Sequence, residues 1–175
     1  RSNAIALKAG LGNAKTQKNL VDRYAAADEF DTGIFATKIL IENLFKNGYA
    51  DVAYSMLNSQ GECSFNDWKR KGATTLHESW KNARSYNHPM FGAIVEYFFT
   101  YLLGIRQAAD DCGYKKVLIN PVAIEKVNTL SGSLQTISGK IAVSIARKDG
   151  QSAFVVEIPA GVEGEFVYGN MRIKL

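Results

Sequence analysis

The residues best suited to chemistry lie between positions 68 and 88. Glu78 stands between His77 and Trp80, Thr74 and Thr75 supply hydroxyls just before it, and Trp68 and His88 flank the segment. A carboxylate among indole faces suits a sugar ring, whose C–H face stacks on an aromatic surface while its hydroxyls are hydrogen-bonded. A carboxylate held in such a place can also exchange protons with water, the work of a general acid or base. A Glu beside Trp and Ser is most often only a capping or solvated side chain. The aromatic setting is what lifts Glu78 above that reading.

Other chemistries fall away on spacing. His77-Glu78 opens the zinc-protease pattern H-E-x-x-H, but Lys81 occupies the position of the second histidine. Cys63 and Cys112 are far apart and form no C-x-x-C pair, which argues against a zinc framework or a disulfide scaffold. Gly10-Leu11-Gly12 has neither a preceding strand pattern nor the third glycine of a dinucleotide fingerprint. No metal and no cofactor is therefore expected. The 21 Lys and Arg against 17 Asp and Glu are scattered apart from Lys69-Arg70-Lys71, so the patch that nucleic-acid binding needs is missing. The apolar run Met90–Ile105 is shorter than the ~20 residues of a spanning helix and holds Glu96 at its centre. No membrane span is expected. No signal-peptide order is visible, and the compartment stays open.

The elements that position these residues change type near Cys112-Gly113. Before it, helical spacing predicts helices over Asn3–Leu11, from a cap at Asn13 to Tyr24, from Asp31-Thr32 to Asn47-Gly48, and over Asp51–Leu57. A long loop at 58–88 follows, a length that in compact domains usually marks function. Pro89 then opens a helix over Met90–Leu103 that is apolar almost all round. After Tyr114 the period becomes two. Strands are predicted at Lys116–Asn120, Ser133–Ser138, Lys140–Arg147, Gln151–Ile158, Glu165–Tyr168 and Met171–Leu175, with Asp149-Gly150 as a hairpin turn. The expected architecture is α+β and multidomain: helices over 1–112, carrying the loop 58–88, and a small antiparallel β-sandwich over 113–175.

Four blocks, taken in order, resemble one family. Phe30-Asp31-Thr32-Gly33-Ile34, Asn47–Tyr54, Gly72–Trp80 and Asn87–Ile105 together are similar to the bacterial α-L-rhamnosidases, glycoside hydrolase family 78. The resemblance runs on through the strand region, which is similar to that family's C-terminal β-sandwich. It implies hydrolysis of terminal α-L-rhamnose with inversion in an (α/α)6 barrel. Twelve barrel helices cannot fit in the first ~110 residues at about a dozen residues each, so the chain reads as the end of the barrel plus the terminal sandwich.

By the same resemblance, Glu78 is the general base, His88 hydrogen-bonds the rhamnose and Trp68 stacks on the sugar. The partners implied are rhamnose-containing glycosides or polysaccharides. An inverting pair also needs a general acid ~6.5–9.5 Å from the base, and no acidic motif here matches it: Asp28-Glu29 and Asp110-Asp111 lack the surrounding pattern. The chain thus carries the base without the acid, and the isolated fragment is expected to be inactive. The exposed rim of a partial barrel points to self-association. One departure stands out: the family usually has Trp immediately before the base, where this chain has His77. A non-catalytic carbohydrate-binding protein is the alternative, and a helical interaction domain with a sheet appendage a third reading.

Overall fold

The computed structural model describes residues 2–175; Arg1, the first residue of the expected helical region, lies outside them. The chain divides into two compact units with the boundary in sequence between Ile94 and Val95. The sequence pattern changes later, near Cys112.

In the helical unit, α1 (Ser2–Lys8) ends at Gly10, whose φ of +72° suits glycine. α2 (Ala14–Ala25) begins with a capping box: Thr16 N–H donates to Asn13 Oδ1 at 3.0 Å and Asn13 N–H to Thr16 Oγ1 at 3.3 Å. α3 (Ile34–Lys46) starts two residues after Thr32, with Gly33 at the cap, and stops at Gly48 with φ +85°. α4 (Ala50–Leu57) follows at once. Leu20, Tyr24, Leu40, Ile41, Leu44, Phe45, Ala53 and Met56 are buried between these helices. Burial of each large apolar side chain contributes roughly 1.5–3 kcal/mol.

Two expectations need correction here. The segment 58–88 is not all loop, because α5 (Phe65–Arg70) forms inside it. Its signal is in the sequence: Ser64 accepts from Asp67 N–H at 3.0 Å, and Lys69 and Arg70 close the last turn against the helix dipole. The run Met90–Leu103 is not one regular helix. It opens as a 3-10 helix, Pro89–Ile94, passes through one α turn, α6 (Val95–Tyr97), and ends as a π-helix, Phe98–Leu102. Gly92 and the β-branched and aromatic residues of this run are weak helix formers, so the packing partners decide its winding.

The second unit holds two sheets. One has the order β1-β2-β6-β7, from Ile105–Gln107 (β1), Lys116–Ile119 (β2), Glu163–Tyr168 (β6) and Met171–Lys174 (β7). The other is the meander of Thr129–Thr136 (β3), Gly139–Lys148 (β4) and Gln151–Glu157 (β5). Ile105, Val117, Ile119 and Phe166 of the first sheet share one core with Ile141, Val143 and Ile145 of the second. The Asp149-Gly150 turn has φ of +51° and +76°, as a tight hairpin requires. The wholly antiparallel arrangement expected from the sequence is overturned at one place: β2 and β6 are parallel, with Val117 opposite Gly164. β1 also lies ahead of the expected change to strands, and β3 begins four residues earlier than the Ser133 start. The chain is thus helical at its N-terminal side, followed by two small sheets, an α+β protein.

Candidate active site

The site is built on aromatic packing within the helical unit. Trp68 on α5 is 4% exposed, and its indole N–H donates to the Trp80 carbonyl at 3.2 Å. Trp80 stacks on Phe30 with ring centroids 5.2 Å apart and planes 9° from parallel. Phe91 at 4.2 Å, Trp68 at 4.7 Å and Phe65 at 5.1 Å also pack against it. The Trp80 indole N–H donates to the Thr32 carbonyl at 2.6 Å, which ties the segment after Glu78 to the start of α3. Aromatic pairs in such offset and edge geometries add about 0.5–1.5 kcal/mol each beyond burial.

Between α5 and the 3-10 helix, residues 75–88 double back on themselves. His88 N–H donates to the Leu76 carbonyl at 2.8 Å, Glu78 N–H donates to the Ser85 carbonyl at 3.1 Å, and the Thr75 hydroxyl donates to the Tyr86 carbonyl. Asn82 turns the tip with φ +53°, a conformation that Asn tolerates better than most residues. Glu78 Oε1 accepts the Arg84 N–H at 2.7 Å, so the carboxylate spans the tip. A carboxylate has two oxygens, and this bond leaves acceptor capacity for a further partner.

The sequence-predicted residues sit in one segment but not on one surface. Trp68 lines a cleft of about 540 Å³ together with His77, Trp80, Lys81, Asn82 and Tyr86, while Glu78 and His88 are not among its lining residues. His77 packs its ring against Trp68 at 4.8 Å and edge-on against Tyr86 at 4.7 Å. His88 is half-buried, and its Nδ1 is a buried polar atom with no hydrogen-bond partner among the described residues. A buried polar atom in that state has bonding capacity that an ordered water or a bound ligand can take up.

The sequence pattern passed over Phe30, Phe91 and Tyr86 as parts of this site, and also Asp67. Asp67 is buried on α5, with Lys71 Nζ at 2.7 Å and Arg70 at 3.3 Å. The hydrogen bond from Lys71 holds the Asp67 carboxyl below the usual carboxylate range. Its signal was the i, i+3 and i, i+4 spacing to Arg70 and Lys71. Among the described residues no group of His, Cys, Asp and Glu has the makings of a metal site, and no helix is long and apolar enough to cross a membrane.

Comparison with known proteins gives this geometry its context. Residues 1–102 match the bacterial alpha-L-rhamnosidase 6 hairpin glycosidase domain, and residues 104–170 match the bacterial alpha-L-rhamnosidase C-terminal domain. An alpha-L-rhamnosidase of Formosa agariphila is 29% identical over 150 residues, covering 82% of this chain and 16% of that protein. The structure of the alpha-L-rhamnosidase from Dictyoglumus thermophilum superposes with a TM-score of 0.82 at 27% identity, covering 94% of this chain and 20% of that one. The Streptomyces avermitilis alpha-L-rhamnosidase, solved in complex with L-rhamnose, shares the fold with a TM-score of 0.79 at 23% identity, covering 94% of this chain and 17% of that one. The chain spans a fifth or less of the length of these relatives. With more than half of its residues inside the first match and nearly all the rest inside the second, the chain belongs to the bacterial α-L-rhamnosidase family, as the last part of the six-hairpin glycosidase domain followed by the C-terminal domain.

Proposed function

We propose that this chain is the base-carrying portion of an enzyme that hydrolyses terminal α-L-rhamnose with inversion. Glu78 takes a proton from the attacking water, and a general acid outside this chain protonates the departing glycosidic oxygen. His88 hydrogen-bonds a rhamnose hydroxyl, and Trp68, 4% exposed, supports the segment that carries Glu78 from behind. The observation that carries this reading is the unpartnered, buried His88 Nδ1 in the doubled-back segment that also holds Glu78. A sugar hydroxyl can donate to or accept from that nitrogen, and a relative from Streptomyces avermitilis is solved in complex with L-rhamnose.

The bond from Arg84 N–H to Glu78 Oε1 favours a second reading, in which Glu78 only holds the tip and the surface binds carbohydrate without chemistry. One substitution separates the two. Gln at position 78 keeps an oxygen acceptor for Arg84 but cannot take the proton. In the full-length enzyme, Glu78→Gln should lower turnover of an aryl α-L-rhamnoside at least about 100-fold with an unchanged circular dichroism spectrum. Unchanged turnover would leave the binding role. The isolated chain, lacking the acid, should show no turnover in the same assay.

A further inference from the structure

We infer that Asp31 is a positioning residue for Glu78, because it holds the short backbone segment to which the Glu78 loop is tied. That segment, Phe30-Asp31-Thr32, lies between α2 and α3 and belongs to no helix or strand. With no ladder of its own, it is placed by the contacts that its residues make. It is also the anchor of Trp80, two residues past Glu78. The Thr32 carbonyl accepts the Trp80 indole N–H at 2.6 Å, and the Phe30 ring stacks on the indole. Asp31 stands between these two contacts in sequence and makes its own bonds to α2. Its Oδ1 accepts from the Tyr24 hydroxyl, and its Oδ2 pairs with the Arg23 guanidinium.

Both oxygens of Asp31 are thus engaged, by neighbouring residues in the last turn of α2. Hydrogen bonds to an ionised group are the strong ones, and Tyr24 is itself fixed by burial. The flanks of the segment have separate ties: Phe30 N–H donates to the Cys63 carbonyl at 2.8 Å, and the Thr32 and Thr37 hydroxyls lie 2.8 Å apart. Asp31 is the residue through which α2 holds the middle. The bonds of Glu78, to Ser85 and Arg84, stay within the doubled-back segment, so Trp80 and its neighbours set where that segment stands against the helices. A general base must stand within hydrogen-bond reach of its water, and a shift of about 1 Å can cost a hundredfold in rate. The inference deepens the α-L-rhamnosidase reading. It rests on that reading for the use made of Glu78, but not for the contacts that place it.

The chain has two tryptophans, so each indole N–H can be followed by nuclear magnetic resonance in the ¹⁵N-labelled protein. Asp31→Ala should speed hydrogen exchange of the Trp80 indole at least about tenfold, with an unchanged far-ultraviolet circular dichroism spectrum. Tyr24→Phe, which removes one donor and keeps the ring, should act in the same direction by less, and it decides alone should Asp31→Ala not fold. Asp22→Ala breaks the solvated pair with Lys18 on the same helix and should leave the Trp80 signal as it was. Unchanged exchange in folded Asp31→Ala, or an equal change in Asp22→Ala, would overturn the inference. In the full-length enzyme, Asp31→Ala should lower kcat roughly tenfold with KM little changed, and should add little to the loss in a Glu78→Gln background. Additive losses would place the action of Asp31 elsewhere and overturn the inference too. If Glu78→Gln alone leaves turnover unchanged, the base assignment fails, and the indole exchange still decides whether Asp31 places the Trp80 anchor.

Discussion

Asp31 is a carboxylate of the helical unit held by two partners. Asp31 accepts from the Tyr24 hydroxyl and pairs with the Arg23 guanidinium. Partial burial opposes its charge, but the hydrogen bond from Tyr24 and the charge of Arg23 outweigh that and hold the carboxyl below its usual range. Burial, with the charge of Asp31 beside it, pushes the Tyr24 hydroxyl the other way, upward. An unfolded Asp titrates at about 3.9, so on acidification the unfolded chain binds this proton first. The stabilisation from Asp31 is therefore complete above about pH 5 and is lost as pH falls through the folded value. Urea midpoints measured from pH 6 to pH 3 should drop, and Asp31→Asn should flatten the drop; an equal slope in the variant would refute the assignment. At this scale the sequence was informative about identity and weak about direction. Glu78 was singled out as a candidate by type and neighbourhood, and the roles proposed for it, His88 and Trp68 came from the family resemblance. Which of them share a surface could not be read, because that depends on a turn made by Asn82 at positive φ with no glycine to announce it.

Elements with local signals were legible, and those fixed by distant partners were not. The Asn13 cap, the Gly48 stop and the Asp149-Gly150 turn act over a few residues, and each formed where its residues pointed. The winding of 89–102 could not be read the same way, since the Gly92 backbone lies so close to Leu76 that a Cβ there would come within 2.8 Å of its Cδ1. The parallel β2–β6 pair was equally hidden, because no local pattern records the direction of a strand's neighbour. Gly104 joins the π-helix to β1, and it shows how strict such a junction is. Its φ is +73°, its carbonyl accepts from Asn120 N–H at 2.9 Å, and a Cβ would lie 2.1 Å from the backbone nitrogen of Pro121. Gly104→Ala should destabilise the sheet unit by at least about 3 kcal/mol, from left-handed strain and a backbone clash together. Chemical denaturation monitored by near-ultraviolet circular dichroism checks this, and a change under about 1 kcal/mol would show that the junction relaxes.

For the molecule as a whole, length and surface carry the message. Leu11, Phe35 and Ile5 in the helical unit are 84%, 69% and 51% exposed, large apolar groups open to a partner surface. The isolated chain should self-associate in sedimentation equilibrium, and Phe35→Ser should shift it toward monomer; a monomeric wild type at high concentration would contradict this. The parallel pairing of β2 with β6 also sets a timetable. β3, β4 and β5 join through short turns and can zip as successive hairpins, but β2 meets β6 only after the whole chain between Ile119 and Glu163 has been made and folded back. Closing so long a loop costs entropy before any contact repays it. Pulse-labelled hydrogen exchange during refolding should therefore protect the amides of β4 before those of Val117–Ile119. The last strands to be synthesised would then be the ones that complete the first sheet.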